Sequence, residues 1–362
     1  MKRVLHFQGR MGLGGAESFM MNLYRRIDRD KFQFNFLIYD DFEKVQNYHD
    51  EIKQLGGQIF VVTNPKRNII KYLIQVNRLL KKEKFDIAHN EVYFGGGINL
   101  WLAKKNSIRQ RIAHSHATED GKTQNFLMNI LRRFLSYLLL SNATDFLAVS
   151  QEAGESLFKG HPFEIIHNGI DLNLYRKKSS KREEKRSALG ISLDSFVIGN
   201  IGRLERQKNQ DYLLDIFSSV LKRHPDSYLL IIGEGSLRQE LEKKVHSMRI
   251  ENRVKLLGER KDIPDLLKTM DVFVMTSLYE GLPMVGLEAQ ATGLKLVLAD
   301  TISKDTKVTK NVCFVSLEKN IEQWVDSIIE PPFKNEMTVE LQNYDVSYTT
   351  KQMEKIYNRK CE

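Results

Sequence analysis

Cysteine is nearly absent from this chain. Cys313 and Cys361 are the only two in 362 residues, which allows one bridge at most and no disulfide framework; a reducing compartment, the cytoplasm, is the expected location. Long apolar runs are missing as well. The densest, Phe134 to Leu140, falls short of the roughly 18 residues that a membrane-spanning helix needs. At the start, Gln8 and Gly9 interrupt Val4-Leu5-His6-Phe7 before it reaches the length of a signal segment. Charge is not balanced: 55 Lys+Arg against 46 Asp+Glu leave +9, which suits an anionic membrane face or a phosphorylated small molecule. No arginine-rich tail, zinc-finger spacing or aromatic RNP-like segment accompanies that charge, so nucleic acid is not an expected partner. Nor does any period of roughly 20–50 residues suggest a solenoid.

What the chain does contain is alternation. Short β-rich runs recur at Val4–Gln8, Phe32–Tyr39, Gln58–Val62, Phe85–Asn90, Arg111–His116, Asp145–Val149 and Glu164–His167, with helical-period segments such as Glu17–Ile27, Glu43–Leu55, Ile69–Lys84 and Gln124–Ser141 between them. A second series runs Phe196–Ile201, Tyr228–Ile232, Val254–Leu257, Val272–Thr276, Lys295–Ala299 and Cys313–Ser316. Strands alternating with helices predict mostly parallel, doubly wound sheets, and 362 residues exceed one usual core. The expected architecture is therefore α/β, two doubly wound Rossmann-like domains facing each other across a cleft. The expected divisions are 1–172, a charged linker over 173–190 without a buried face, 191–343, and a C-terminal segment 344–362. That last segment contains a basic amphipathic helix, Tyr348 to Arg359, with Met353, Ile356 and Tyr357 as its apolar side, able to pack back on the N-terminal domain.

Candidate chemistry sits at the predicted carboxyl ends of strands, where open α/β sheets bind ligands. The first strand runs into Gly9-Arg10-Met11-Gly12-Leu13-Gly14-Gly15-Ala16-Glu17, whose glycines allow close backbone approach to an anion. This is neither a GxGxxG nor a P-loop pattern, and a plain tight turn accounts for it equally. Strand Arg111-Ile112-Ala113-His114-Ser115-His116 ends on two imidazoles, which alternation puts on one side of the pleat; His116 is the better candidate to face a substrate. In the second half, Gly202-Arg203-Leu204-Glu205-Arg206-Gln207-Lys208 suits a diphosphate, with Arg203 chelating and Lys208 as a point charge. A solvated basic loop is the plainer reading. Gly233-Glu234-Gly235 and Gly258-Glu259-Arg260 also close strands and suggest a floor for base and ribose.

The sharpest element is Glu280-Gly281-Leu282-Pro283-Met284-Val285-Gly286-Leu287-Glu288. Pro283 suits the first turn of a helix starting at Leu282 or Pro283, whose free N–H groups would hold a diphosphate. Glu280 lies just outside this terminus and Glu288 roughly 7–8 Å along the axis, a span matching that from sugar to ribose. An acid at the helix start explains Glu280 without any ligand, but not Glu288 in an otherwise apolar helix.

On these residues the chain resembles the family 4 retaining glycosyltransferases of the GT-B fold. The string from Ser277 to Gly293 carries the likeness, with Gly12-Leu13-Gly14-Gly15-Ala16-Glu17, His167-Asn168-Gly169-Ile170-Asp171, Gly202-Arg203-Leu204 with Lys208, and Gly233-Glu234-Gly235 in the same order. The resemblance implies a nucleotide-diphosphate sugar, expected to be a UDP-sugar, as co-substrate and an acceptor bound by the N-terminal domain. It further implies a catalytic role for His116 and Glu280, a ribose role for Glu288, and Arg203 and Lys208 neutralising the leaving diphosphate. No cofactor and no metal are expected; Asp28-Arg29-Asp30 reads as a turn. One departure is Ala299-Asp300-Thr301-Ile302-Ser303-Lys304-Asp305, in place of a small-residue glycine turn. The region after it resembles the exopolysaccharide and capsule branch, which implies a glycan or polyprenyl-diphosphate-linked oligosaccharide acceptor at the inner face of the membrane. Basic, apolar segments Leu127–Leu135, Lys71–Ile74 and Arg78–Lys84 could touch such a surface, although core-facing helices with wet edges explain them too. Two rival functions share these loops: a sugar-nucleotide 2-epimerase and a silent sugar-nucleotide-binding subunit.

Overall fold

The structure is a computed structural model; the described residues are 1–12, 15–45, 47–116, 126–176, 181–332 and 338–359. The chain forms two compact units, Met1–Gly169 with Asn343–Glu362, and Ile170–Gln342. The first contains strands β1 (Lys2–Gly9), β2 (Phe32–Tyr39), β3 (Gln58–Val62), β4 (Ile87–Asn90), β5 (Gln110–Ser115), β6 (Asp145–Ala148) and β7 (Glu164–Ile165). Its helices are α1 (Gly15–Tyr24), α2 (His49–Gln54), α3 (Ile69–Glu83), α4 (Gly96–Lys105), α5 (Phe126–Asn142) and α6 (Gln151–Phe158). All strand pairs are parallel, in the order β3-β2-β1-β4-β5-β6-β7. The order reverses between β1 and β4, and such a switch point opens a crevice at the strands' carboxyl ends.

Alternation along the strands explains how both faces are covered. Val4, Phe34, Phe36 and Ile38 join one buried cluster with Met20 of α1 and Ile52 of α2. Leu5, Phe7 and Leu37 join the other, with Tyr72 of α3, Leu100 of α4 and Leu139 of α5. The helix expected over Glu43–Leu55 is only α2, preceded by a single 3₁₀ turn at Asp40–Phe42. Asp28 to Asp30 form a turn, with Lys31 N–H donating to Asp28 O and the Lys31 ammonium on the Asp28 carboxylate.

The second unit has helices α7 (Leu172–Arg176), α8 (Lys181–Ala188), α9 (Gln210–Arg223), α10 (Arg238–Ser247), α11 (Ile263–Thr269), α12 (Met284–Ala291), α13 (Ile321–Ile329) and α14 (Val339–Gln342). Its strands are β8 (Phe196–Ile201), β9 (Ser227–Ile232), β10 (Val254–Leu256), β11 (Val272–Met275), β12 (Lys295–Ala299) and β13 (Val312–Val315). They are parallel in the order β10-β9-β8-β11-β12-β13. That is the six-strand order of dinucleotide-binding sheets, with its switch point between β8 and β11.

The stretch expected as a linker differs. Helices α7 and α8 occupy much of it, and Arg186 of α8 is fully buried. Its guanidinium donates to the carbonyls of Thr269, Leu193 and Ser195 and to Asp271. The buried face of α8 is thus a cation rather than an apolar stripe, a pattern that hydrophobic periodicity does not register. Finally α15 (Val346–Tyr357) returns to the first unit, where Met353, Ile356 and Tyr357 enter the cluster that contains Phe34 and Phe36. Gly169 makes room for it: a Cβ there would sit 2.5 Å from the Val346 Cα.

Candidate active site

The switch point of the second unit is bridged by charge. Lys208, in the loop after β8, forms an ion pair with the Glu280 carboxylate in the loop after β11, and both side chains are largely buried. Ser277 Oγ donates to the same carboxylate at 3.1 Å. Backbone contacts bind the two loops together: Leu278 N–H donates to Gln207 O at 2.8 Å, and the Gln207 amide donates to Tyr279 O at 3.0 Å. Glu280 is also held from behind. Its backbone pairs with Ile302, Ser303 N–H donates to its carbonyl, and Thr301 Oγ1 donates to Ser277 O at 2.7 Å. The turn that departed from the family pattern therefore props this loop, a contact between distant segments that the sequence does not announce.

Helix α12 starts one to two residues later than expected. Pro283 takes extended backbone (φ −72°, ψ 114°) as the N-cap, and no side chain caps the helix; Met284 is its first residue. A ring-locked φ with no N–H fits a residue just before the first turn. N–H groups of the first turn have no intrahelical acceptor, and Gly281 is exposed in front of them; this is where Leu282, Pro283, Met284 and Val285, expected to hold a diphosphate, stand. Arg203 is mostly exposed and bonds Glu205 at 3.1 Å.

Glu288 lies in α12 away from Glu280, and here the structure adds a residue. Helix α7 packs on α12, and the Tyr175 hydroxyl hydrogen-bonds Glu288. Burial pushes the Glu288 carboxyl above its ordinary range despite that bond; burial and the adjacent Glu288 likewise raise the Tyr175 phenol. Tyr175 stood in the supposed linker, so periodicity gave no reason to select it.

The glycines after β9 are required by a contact within the unit. At Gly233 (φ +137°) a Cβ would fall 2.1 Å from Gly202 O, and at Gly235 2.3 Å from Leu204 O. They let the β9 loop press on the β8 loop, sealed by Leu204 N–H donating to Glu234 O at 2.9 Å. Glu234 pairs with Arg238. Arg260 grips Asp262 with two bonds of 2.8 Å, and with the Lys185 ammonium these hold the Asp262 carboxyl well below its usual range.

In the first unit the switch point is filled by imidazoles. His6 of β1 and His89 of β4 are register partners, and His89 Nε2 lies 3.1 Å from Nδ1 of His114 on β5. His116 follows, its ring 4.2 Å from that of His114 and 5.4 Å from that of Phe19. Burial lowers the pKa of His116 to about 3 and also depresses those of His6, His89 and His114 well below the ordinary value, which favours the neutral form of all four. Glu91 accepts from or donates to His6 Nδ1 at 2.9 Å; burial, then Glu17, raise its carboxyl. Glu17 in turn bonds Arg10 at 2.8 Å. Gly15 opens α1; Gly14 lies outside the described residues.

Residues 13–174 match the family described as Glycosyltransferase Family 4, and residues 181–342 match Glycosyl transferases group 1. A relative from Bacillus subtilis (strain 168), named as glycosyltransferase EpsF, is 34% identical over 335 residues, 90% of this chain and 87% of that one. The chain is a family 4 glycosyltransferase. An Escherichia coli relative named UDP-Gal:alpha-D-GlcNAc-diphosphoundecaprenol alpha-1,3-galactosyltransferase is 28% identical over 341 residues, covering 90% of this chain and 87% of its own. Among solved structures, Anabaena Alr3699/HepE in complex with UDP superposes with a TM-score of 0.79 at 22% identity, over 98% of this chain and 99% of that one. At that identity the likeness shows the fold, two parallel-sheet α/β domains of GT-B type. Among the described residues no helix is long and apolar enough to cross a membrane.

Proposed function

We propose that this glycosyltransferase is retaining and moves a hexose or N-acetylhexosamine from a UDP-sugar to a lipid-linked glycan acceptor in exopolysaccharide or capsule assembly. The observation that carries the donor half is the Lys208–Glu280 pair across the β8/β11 switch point, beside the uncapped start of α12. Lys208, Arg203 and the α12 N–H groups would neutralise the diphosphate as its bond to the sugar breaks, and Glu280 would accept from sugar hydroxyls. Glu288 would accept from the ribose. His116, neutral, would bond the sugar or the incoming hydroxyl, and the departing diphosphate would take the acceptor's proton on the same face, which retains configuration. The diphosphoundecaprenol in the name of the Escherichia coli relative supports the acceptor class. The test is thermal unfolding against a panel of nucleotide sugars, where saturation at 100 times Kd stabilises by about 2.7 kcal/mol. The responding donor is then followed with an acceptor by NMR. Failure of every nucleotide sugar to raise the Tm sinks the donor reading, an inverted anomeric product sinks retention, and a free epimer formed without acceptor favours the epimerase.

A membrane-surface role belongs to the same reading. Helices α3, α4 and α5 line one face of the first unit and expose Ile70, Ile74, Trp101, Ile130, Phe134 and Tyr137. Their sequences hold eight Lys and Arg and a single acid, Glu83, which Arg3 engages at 3.1 Å. Apolar side chains set among these cations suit anionic lipid. Equal partitioning onto neutral and anionic vesicles at low salt would remove this part of the proposal.

A further inference from the structure

His116 is held without a hydrogen bond: neither ring nitrogen has a partner among the described residues. Ring contacts alone orient it, on His114 and on Phe19. His114 is better anchored. Its Nδ1 meets His89 Nε2 at 3.1 Å, and His89 Nδ1 meets the Tyr357 hydroxyl at 2.8 Å, all buried. Tyr357 comes from α15, 241 positions after His116 in the chain (357 − 116), and its ring packs against Phe32 and Phe34.

Donor and acceptor strength set the direction of this chain of bonds. Each neutral imidazole has one N–H and one acceptor nitrogen. With the Tyr357 O–H donating to His89 Nδ1, the His89 proton sits on Nε2 and donates to His114 Nδ1, and the His114 proton sits on Nε2. One buried N–H then stays unpaired. The reverse direction leaves the phenolic proton unpaired instead and makes an imidazole N–H donate to a phenol oxygen; because phenol is the stronger acid and imidazole the stronger base, it is disfavoured.

We propose that Tyr357 is a positioning residue which, through His89 and His114, fixes the tautomer and ring plane on which His116 rests. This builds on the reading above that His116 acts in transfer. A segment remote in sequence thereby becomes part of the reaction's alignment, not only of the core.

The test is Tyr357→Phe, which keeps the ring and deletes the donor. Transfer is expected to lose about tenfold or more in kcat, since small misplacements are amplified in rate, with the donor KM unchanged. Nitrogen-15 NMR of the imidazoles is expected to show Nε2–H tautomers at His89 and His114 in the parent and a mixture in the variant. Mixed tautomers in the parent, unchanged tautomers in the variant, or an unchanged kcat overturns the proposal. So does a stoichiometric divalent cation in the purified protein lost on His89→Ala: ligand atoms of His6, His89 and Glu91 lie within 4.8 Å of one another, and a ligating His89 Nε2 would carry no proton. Parent-level transfer by His116→Ala overturns instead the reading beneath, while the tautomers still test the relay itself.

Discussion

The two switch points of this molecule are built on the same topology and filled with opposite chemistry. Between β8 and β11 the loops present a cation, a carboxylate and a helix start with free N–H groups. Around β1 and β4 of the first sheet stand instead four neutral imidazoles, from β1, β4, β5 and the residue after β5, and a carboxyl pushed up by burial. The difference lies in hydration: Lys208 and Glu280 keep some exposure and each other, whereas His6 and Glu91 have none. A site for a diphosphate must carry charge before the ligand arrives. A dry hydrogen-bonded cluster instead fixes direction and geometry.

Mutations can break or sharpen this contrast. The largest effect is expected for Arg186→Ala in the second unit, which strips donors from the carbonyls of Thr269, Leu193 and Ser195 and from Asp271; denaturant unfolding should show a loss of about 3 kcal/mol. Next comes Glu280→Ala. Steady-state kinetics should show turnover down roughly 10²–10³-fold, comparable to losing one transition-state contact, with donor affinity changed far less. Parent-level turnover would show that the charged switch point is merely structural. Glu288→Ala should then raise the donor Kd about tenfold by calorimetry, the worth of one hydrogen bond to a charged group.

The smallest effect is a pH slope. The Glu288 carboxyl titrates above its ordinary value of 4.5 in the folded chain, so the folded state binds its proton more tightly than the unfolded one. Its contribution is present below that ordinary value and is lost as pH rises through the raised folded one. Tm measured across that window should fall more in the parent than in Glu288→Gln; parallel curves would show that Tyr175 and solvent already satisfy the ionised form.

Much of the fold was legible because burial on both faces of a parallel sheet writes itself as short apolar runs between helical periods. All thirteen strands stand within a few residues of their expected places. The α12 segment was legible for a related reason: a glycine, a proline and two misplaced acids violate the local pattern. Glu288 was noticed among Val285, Leu287 and Ala289 because a carboxylate has no business there without a partner.

The partners themselves were not legible. Tyr175 on Glu288, Thr301 and Ser303 behind Glu280, and Tyr357 on His89 each join segments far apart in the chain. Arg186 escaped notice because its burial is compensated by carbonyls, which every residue has and no pattern marks.

By itself, the sequence determined the two-sheet architecture, several of the loops that stand at strand ends and the family, since these follow from local periodicity and short strings of residues. Tertiary structure alone decided which charges are neutralised, which imidazoles stay neutral and which of them are hydrogen-bonded to one another. Desolvation and hydrogen-bond direction depend on every group packed around a side chain, and those groups are assembled only when the chain folds.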